Sequence, residues 1–163
     1  MSAILPVVVL DDPEQAVPLG AALLAGGITS MEITLRTAAG LDGIRRARAA
    51  GDITVGAGSV LTPAHVDQVV DAGAEFIVCP GLSEAVVARA RHHSVPIFPG
   101  VATASEVMTA VALGLVEVKL FPAGLLGGPA YVKALSAPFP GMRFLPSGGV
   151  GPANAADYLA LGC

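Results

Sequence analysis

Apolar positions recur along this 163-residue chain in two alternating rhythms. Short runs alternate every second residue or are apolar throughout, and longer stretches repeat apolar residues three and four apart; the first pattern predicts strands, the second amphipathic helices. Val7-Val8-Val9-Leu10 opens the series as a short buried strand. Asp11-Asp12-Pro13 then supplies a cap and a first-turn proline for a helix to about Ala25, which Gly26-Gly27 ends. Met31 to Arg36 is the next strand, with Met31, Ile33 and Leu35 on one face and Glu32, Thr34 and Arg36 on the other. A helix from about Ala38 to Ala50 leads to a strand over Ile53 to Ser59, whose glycines let other backbone come close. Thr62-Pro63 starts a helix toward Ala72, Phe76 to Pro80 is a strand, and Ser83-Glu84 opens a helix to about His92. Pro96 to Gly100 is a strand followed by a Thr103-capped helix to Leu113. Leu115 to Pro122 puts Val116, Val118 and Leu120 on one face and Glu117, Lys119 and Phe121 on the other. A loop from Gly124 to Gly128, a helix through Tyr131 to Leu135, a strand from Phe144 to Gly148 and a helix from Pro152 to about Leu161 complete the pattern.

Strands alternating with helices at roughly 20 to 27 residues per unit predict parallel βαβ units with helices covering the sheet. The expected fold is α/β, a (β/α)8 TIM-barrel-like array in one domain over residues 1–163, with the eighth strand-helix unit missing from this chain. An open doubly wound sheet is the alternative; polar residues facing inward at several strand ends suit a barrel mouth better.

Composition narrows the function classes. Charged residues make up 13% of the chain, against about a quarter in an average globular protein, so an unusual share of it is to be buried, and buried subunit contacts are favoured. A formal charge of -4 offers no basic stripe for nucleic acid or an anionic membrane. No apolar run approaches the roughly 18 residues of a membrane span, and Met1 to Pro6 lacks the basic start of a secretory signal, so a cytoplasmic location is expected. Cys79 and Cys163 lie far apart without metal-site spacing, and His65, His92 and His93 fall in helices or at their ends, where they are expected to be solvated. No metal is predicted. The glycines near Gly124 to Gly128 lack the GxGxxG context of a dinucleotide site, so no cofactor is predicted.

Lys119 stands out. It lies on a strand whose two faces are expected to be covered, where a buried ammonium needs a partner or a depressed pKa, and this makes it a candidate amine nucleophile. The alternative is a strand-end lysine reaching solvent along its apolar stem.

Met31-Glu32-Ile33-Thr34-Leu35-Arg36-Thr37, Val55-Gly56-Ala57-Gly58-Ser59-Val60-Leu61, Pro80-Gly81-Leu82, Val118-Lys119-Leu120-Phe121-Pro122-Ala123 and Pro146-Ser147-Gly148-Gly149-Val150 carry a resemblance over essentially the whole chain. With these motifs the chain resembles the 2-keto-3-deoxy-6-phosphogluconate (KDPG) aldolase family, which includes enzymes acting on 4-hydroxy-2-oxoglutarate (KHG). The resemblance implies a Schiff-base, class I aldolase on a (β/α)8 barrel, a homotrimer, in the Entner-Doudoroff route of carbohydrate metabolism. There are departures: Ser59 and Ser147 stand where the family usually has threonine, and Leu120 where it commonly has phenylalanine. The family's short leading helix and its eighth strand, with a Gly-Gly-Ser segment that helps bind phosphate, have no counterpart in these residues.

Read with this chemistry, Lys119 condenses with the substrate ketone and becomes the electron sink, its amine kept partly neutral by desolvation and a nearby guanidinium such as Arg36. Glu32 takes the C4 hydroxyl proton and returns a proton to the enamine; the alternative is an ion pair with Arg36, four residues on. Arg36 holds the substrate carboxylate and Ser59 adds a hydroxyl to the same group, or Arg36 simply ends a strand at the surface. Phe121 and Pro80 form an apolar wall, or ordinary packing; Thr34 and Thr37 are structural. Ser147, Gly148 and Gly149 follow the seventh strand, where barrels often bind phosphate, or make only a turn. The expected reaction splits KDPG, a phosphorylated 2-keto acid, into pyruvate and glyceraldehyde 3-phosphate, with cleavage of KHG to pyruvate and glyoxylate as a second candidate. A truncated, inactive barrel serving as a binding or assembly subunit is the rival reading, and a phosphate-binding barrel with other chemistry a third.

Overall fold

The structure, a computed structural model, describes residues 4–163; the expectation for Met1, Ser2 and Ala3 at the start of the chain lies outside the described residues. Strands and helices alternate through it, and the chain divides into two compact units, residues up to 79 with 85–97, and residues 80–84 with 98–163.

The first unit holds β1 (Val7–Val8), β2 (Ser30–Thr34), β3 (Thr54–Gly58) and β4 (Phe76–Val78), all parallel where they pair, with α1 (Ala16–Ala25), α2 (Gly40–Ala50), α3 (Pro63–Asp71) and α4 (Glu84–His92) between them. Asp12 caps a 3-10 turn over Pro13–Gln15 by accepting from the Glu14 N–H, and α1 continues from it. Register sorts the side chains into two sets, because residues paired across strands project to the same face. Ile33, Ala57 and Ile77 align across three strands, with Met31 beside Val55, and all five are fully buried. This face meets the helices: a Cβ added to Gly20 of α1 would touch Met31, and one on Gly43 of α2 would touch Ile33. The other face aligns Glu32 with Gly56 and Phe76, and Thr34 with Gly58.

The fifth strand is interrupted. Ile97–Phe98 (β5) completes the five-stranded sheet, Gly100–Val101 (β6) begins a three-stranded one, and Pro99, which has no N–H for the ladder, separates them. In the second unit β6, β7 (Glu117–Leu120) and β8 (Arg143–Pro146) are parallel, joined by α5 (Ala104–Ala112) and α6 (Gly128–Ser136) and followed by the short α7 (Ala155–Leu159). Val101, Val118, Leu120 and Phe144 pack with Val107 and Ala110 of α5 and Val132 and Leu135 of α6 into one buried cluster. The opposite face aligns Gly100, Lys119 and Leu145.

Several sequence expectations shift. β7 starts at Glu117, so Val116 is 56% exposed rather than part of the strand's apolar face. Glu117, at the strand's start, pairs with Arg143 across β8 at 2.7 Å, and both side chains are well exposed. Arg36 lies beyond the end of β2, in an exposed turn. The α7 helix is half the expected length. His93 is not simply solvated: its Nε2 lies 2.7 Å from the same Asp67 oxygen that accepts a 2.6 Å bond from Arg89 Nε. Arg89, and after it His93, holds the Asp67 carboxyl below the usual range. Among the described residues no helix is long and apolar enough to cross a membrane.

Two outcomes follow from this packing. A Cβ on Gly40 would press into the Thr34 carbonyl oxygen, which is backbone and cannot swing aside, so Gly40→Ala should cost about 1–3 kcal/mol of unfolding free energy in urea titration; unchanged stability would show that α2 seats elsewhere. At the start of α5, Thr103 and Glu106 cap each other, and Glu106 Oε2 also accepts from the Ala102 N–H at 2.8 Å. That bond, aided by the Thr103 hydroxyl and N–H, outweighs burial and lowers the Glu106 pKa. A lowered carboxyl contributes stability in full above its unfolded pKa and loses it as pH falls through the folded one. Glu106→Gln should therefore flatten part of the acid-side decline in stability, and an unchanged pH slope would contradict the cap.

Candidate active site

On β2, alternation turns Glu32 away from α1 and α2, and the carboxylate side chain is only 2% exposed. It lies against Gly58 of β3. A Cβ built there would overlap Oε1 and fall 2.7 Å from both Cγ and Cδ of Glu32. Thr34 is fully buried, and its hydroxyl donates to the Val8 carbonyl at 3.0 Å. Thr37 donates likewise to the Leu10 carbonyl. Both threonines thus tie the end of β2 and its turn to the chain at β1, the structural part expected of them.

Just past β2 and β3 the chain brings Arg36 and Ser59 together: Arg36 Nε donates to Ser59 Oγ at 3.1 Å. Ser59 adopts a left-handed backbone, φ 58°, a conformation that costs a non-glycine residue about 1–2 kcal/mol. The turn aims its hydroxyl at the guanidinium. Arg36 remains exposed, as the surface alternative had it, and its planar fork keeps further donors for an anion.

In the second unit, Lys119 projects from the face opposite the buried cluster and is 3% exposed. Its Nζ sits 5.4 Å from the centroid of the Phe121 ring, two residues along the same face and within the range of a cation-π contact. Across the ladder stands Gly100, registered with Lys119. A side chain there would overlap the Pro80 carbonyl and reach the Gly81 nitrogen at 2.7 Å. The Pro80-Gly81 peptide therefore lies over β6 on the lysine's side, while the Pro80 ring is exposed. What Pro80 packs against Gly100 is backbone rather than the ring expected as a wall.

Beyond β7 and β8 the two chain segments continue to zip. Ser147 N–H donates to Leu120 O at 2.9 Å, and Ala123 and Gly124 donate to Ser147 O and Gly148 O, each at 2.8 Å. Gly148 and Gly149 have φ of 85° and 80°, which a side chain would strain, and Gly148 packs against the Phe121 ring. Phe121 thus touches both the lysine and the Ser-Gly-Gly turn. The glycines of β3 were expected to admit other backbone, but what comes close to them is side chain, the Phe76 ring at Gly56 and the Glu32 carboxylate at Gly58; the space needed at Gly100 was not anticipated. The signal for Gly58 and Gly100 was present as glycines on the polar face of a strand, where nothing but room for a neighbour asks for glycine.

The profile of the KDPG and KHG aldolase family matches residues 1–163. A curated relative, the 2-dehydro-3-deoxy-phosphogluconate aldolase of Pseudomonas aeruginosa, is 48% identical over 159 residues, 97% of this chain and 72% of its own. Among solved structures, the 2-keto-3-deoxy-6-phosphogluconate aldolase of Zymomonas mobilis ZM4 with 3-phosphoglycerate superposes with a TM-score of 0.93 at 39% identity, covering 97% of this chain and 76% of that one. The KDPG aldolase of Legionella pneumophila, with pyruvate captured at low pH as a covalent carbinolamine intermediate, gives 0.92 at 38% identity, covering 97% and 77%. The fold class is accordingly α/β of TIM-barrel type, with seven strand-helix units among the described residues.

Proposed function

Because this chain belongs to the KDPG and KHG aldolase family, we propose that it is a class I aldolase that splits 2-keto-3-deoxy-6-phosphogluconate into pyruvate and glyceraldehyde 3-phosphate, with Lys119 as the imine-forming amine. The observation that carries this assignment is the placement of Lys119: a lysine 3% exposed, on the strand face turned from the core cluster, beside an aromatic ring and opposite a glycine.

The chemistry follows from that amine. Lys119 Nζ attacks the C2 ketone, and loss of water gives a protonated imine. Glu32 removes the proton from the C4 hydroxyl; the C3–C4 pair moves to C3, the imine becomes an enamine, and glyceraldehyde 3-phosphate leaves. The same carboxyl returns its proton to C3, and water releases pyruvate from the lysine. Arg36, steadied by Ser59, holds the C1 carboxylate through its fork. The backbone N–H groups of Gly148 and Gly149, in the turn that follows Ser147, receive the phosphate. Phe121, with the Pro80-Gly81 peptide, walls the lysine's surroundings from water. KHG, which carries the same 2-keto acid end, is the second substrate, and the reaction belongs to the Entner-Doudoroff route.

On this reading residues 1–163 act as one barrel domain, and the protein works in the cytoplasm as a homotrimer, which sedimentation equilibrium would measure directly. An inactive assembly subunit is not favoured, because the family match runs through every residue given a chemical part above.

Borohydride reduction in the presence of pyruvate should add one reduced pyruvyl group at Lys119, found by peptide mass. Lys119→Ala should show no adduct, and Glu32→Gln should form the adduct yet fail to cleave substrate. An adduct elsewhere, or normal turnover by Glu32→Gln, would refute the assigned roles. Arg36→Lys, which keeps the charge but loses the fork, should raise KM for the keto acid about tenfold with a smaller change in kcat; an unchanged KM would remove Arg36 from carboxylate binding.

A further inference from the structure

Glu32 pairs in register with Gly56, and Gly56 with Phe76. All three project to the face turned from α1 and α2, so the obvious resting place for the Glu32 side chain is straight across, over Gly56. That place is taken. A Cβ on Gly56 would overlap three carbons of the Phe76 ring, which is 2% exposed. The carboxylate instead lies two residues further along β3, over Gly58, at the end of the strand next to Ser59. The three atoms nearest a Cβ on Gly58 all belong to Glu32. Gly58 is not among the positive-φ glycines, so its backbone would accept alanine. What demands glycine here is room for the carboxylate.

We infer that Gly58 and Phe76 are positioning residues for Glu32: the ring blocks the nearer seat, and the bare glycine opens the farther one, fixing the carboxylate at the C-terminal end of β3 where proton transfer takes place. This rests on the reading of Glu32 as the acid-base group. A side chain in the Gly58 gap leaves charge and lysine untouched while moving the carboxylate by about the width of a methyl group, and a displacement of about 1 Å at a reacting group can cost a hundredfold in rate.

The test is a cycle of variants measured for cleavage and, separately, for borohydride-trapped pyruvate at Lys119. Gly58→Ala should lose about a hundredfold in kcat with KM and the yield of trapped adduct little changed. Glu32→Asp withdraws the carboxylate by one methylene, so Gly58→Ala added to it should cost far less than in the wild type. Gly43→Ala, where a Cβ would fall 2.5 Å from the flexible tip of Leu10, serves as a packing control and should keep wild-type kcat. Wild-type kcat in Gly58→Ala, or an equal loss in both backgrounds, overturns the inference. Should Gly58→Ala not fold, Phe76→Leu, which reopens the nearer seat, is decisive: kcat should fall while trapping persists, and an unchanged kcat overturns the inference. If Glu32→Gln itself cleaves normally, the acid-base reading fails and the positioning claim falls with it. If Glu32→Gln is dead and Gly58→Ala is normal, only the positioning claim is lost.

Discussion

An ionisable side chain can lie on the covered face of a sheet only where the neighbouring strand leaves it room, because buried strands are packed to the density of a crystal and a charged group gains nothing from being squeezed. Here each of the two central ionisable residues lies on a strand face where a neighbouring strand carries glycine. Gly58 makes room for the Glu32 carboxylate, and Gly100, registered with Lys119, accommodates the Pro80-Gly81 peptide on the lysine's own face. Remove that room and the strands still have every reason to pair, but the Glu32 carboxylate and the Pro80-Gly81 peptide no longer fit where they stand.

The division of labour between strand faces follows. In the first unit the face carrying Met31, Ile33, Val55, Ala57 and Ile77 is wholly buried against helices; in the second, Val118, Leu120 and Phe144 do the same with α5 and α6. These faces supply the hydrophobic stabilisation. The opposite faces are thereby free to carry Glu32 and Lys119, whose burial contributes no such gain. Precision at the strand ends comes from hydrogen bonds instead. Thr34 and Thr37 bind carbonyls at β1, Ser59 meets Arg36, and residues 120–124 and 147–149 bond to one another beyond their strands. Exposed pairs such as Glu117 with Arg143 add little in water.

Much of this was legible in the chain itself. The change of period from two to 3.6 marked each strand and helix, and the alternation along residues 31–36 and 115–122 put Glu32 and Lys119 on the faces they occupy. What misled was local. A run such as Val7 to Leu10 looks like a four-residue buried strand but pairs over two, and its Val7 and Val9 are exposed, since an apolar run does not show which of its residues find a partner or a cover. Arg36 continued the alternation on paper, yet β2 ends two residues earlier. Pro99 broke a strand that periodicity kept whole. His93 looked solvated because nothing in its own helix shows that Asp67 of α3 reaches it. The glycines at 58 and 100 were visible as letters, but the atoms that need the space belong to residues 26 and 20 positions away, and only the fold joins them.

The central claim is that one buried amine and one carboxylate turn a keto acid into an enamine and back. Proton exchange tests this most directly, because each return of the enamine to the imine takes its hydrogen from solvent. In deuterium oxide the wild-type protein should erase the methyl proton signal of pyruvate in NMR spectra, and neither Lys119→Ala nor Glu32→Gln should do so. A methyl signal that persists with the wild-type protein, or that fades equally with all three, would contradict the account.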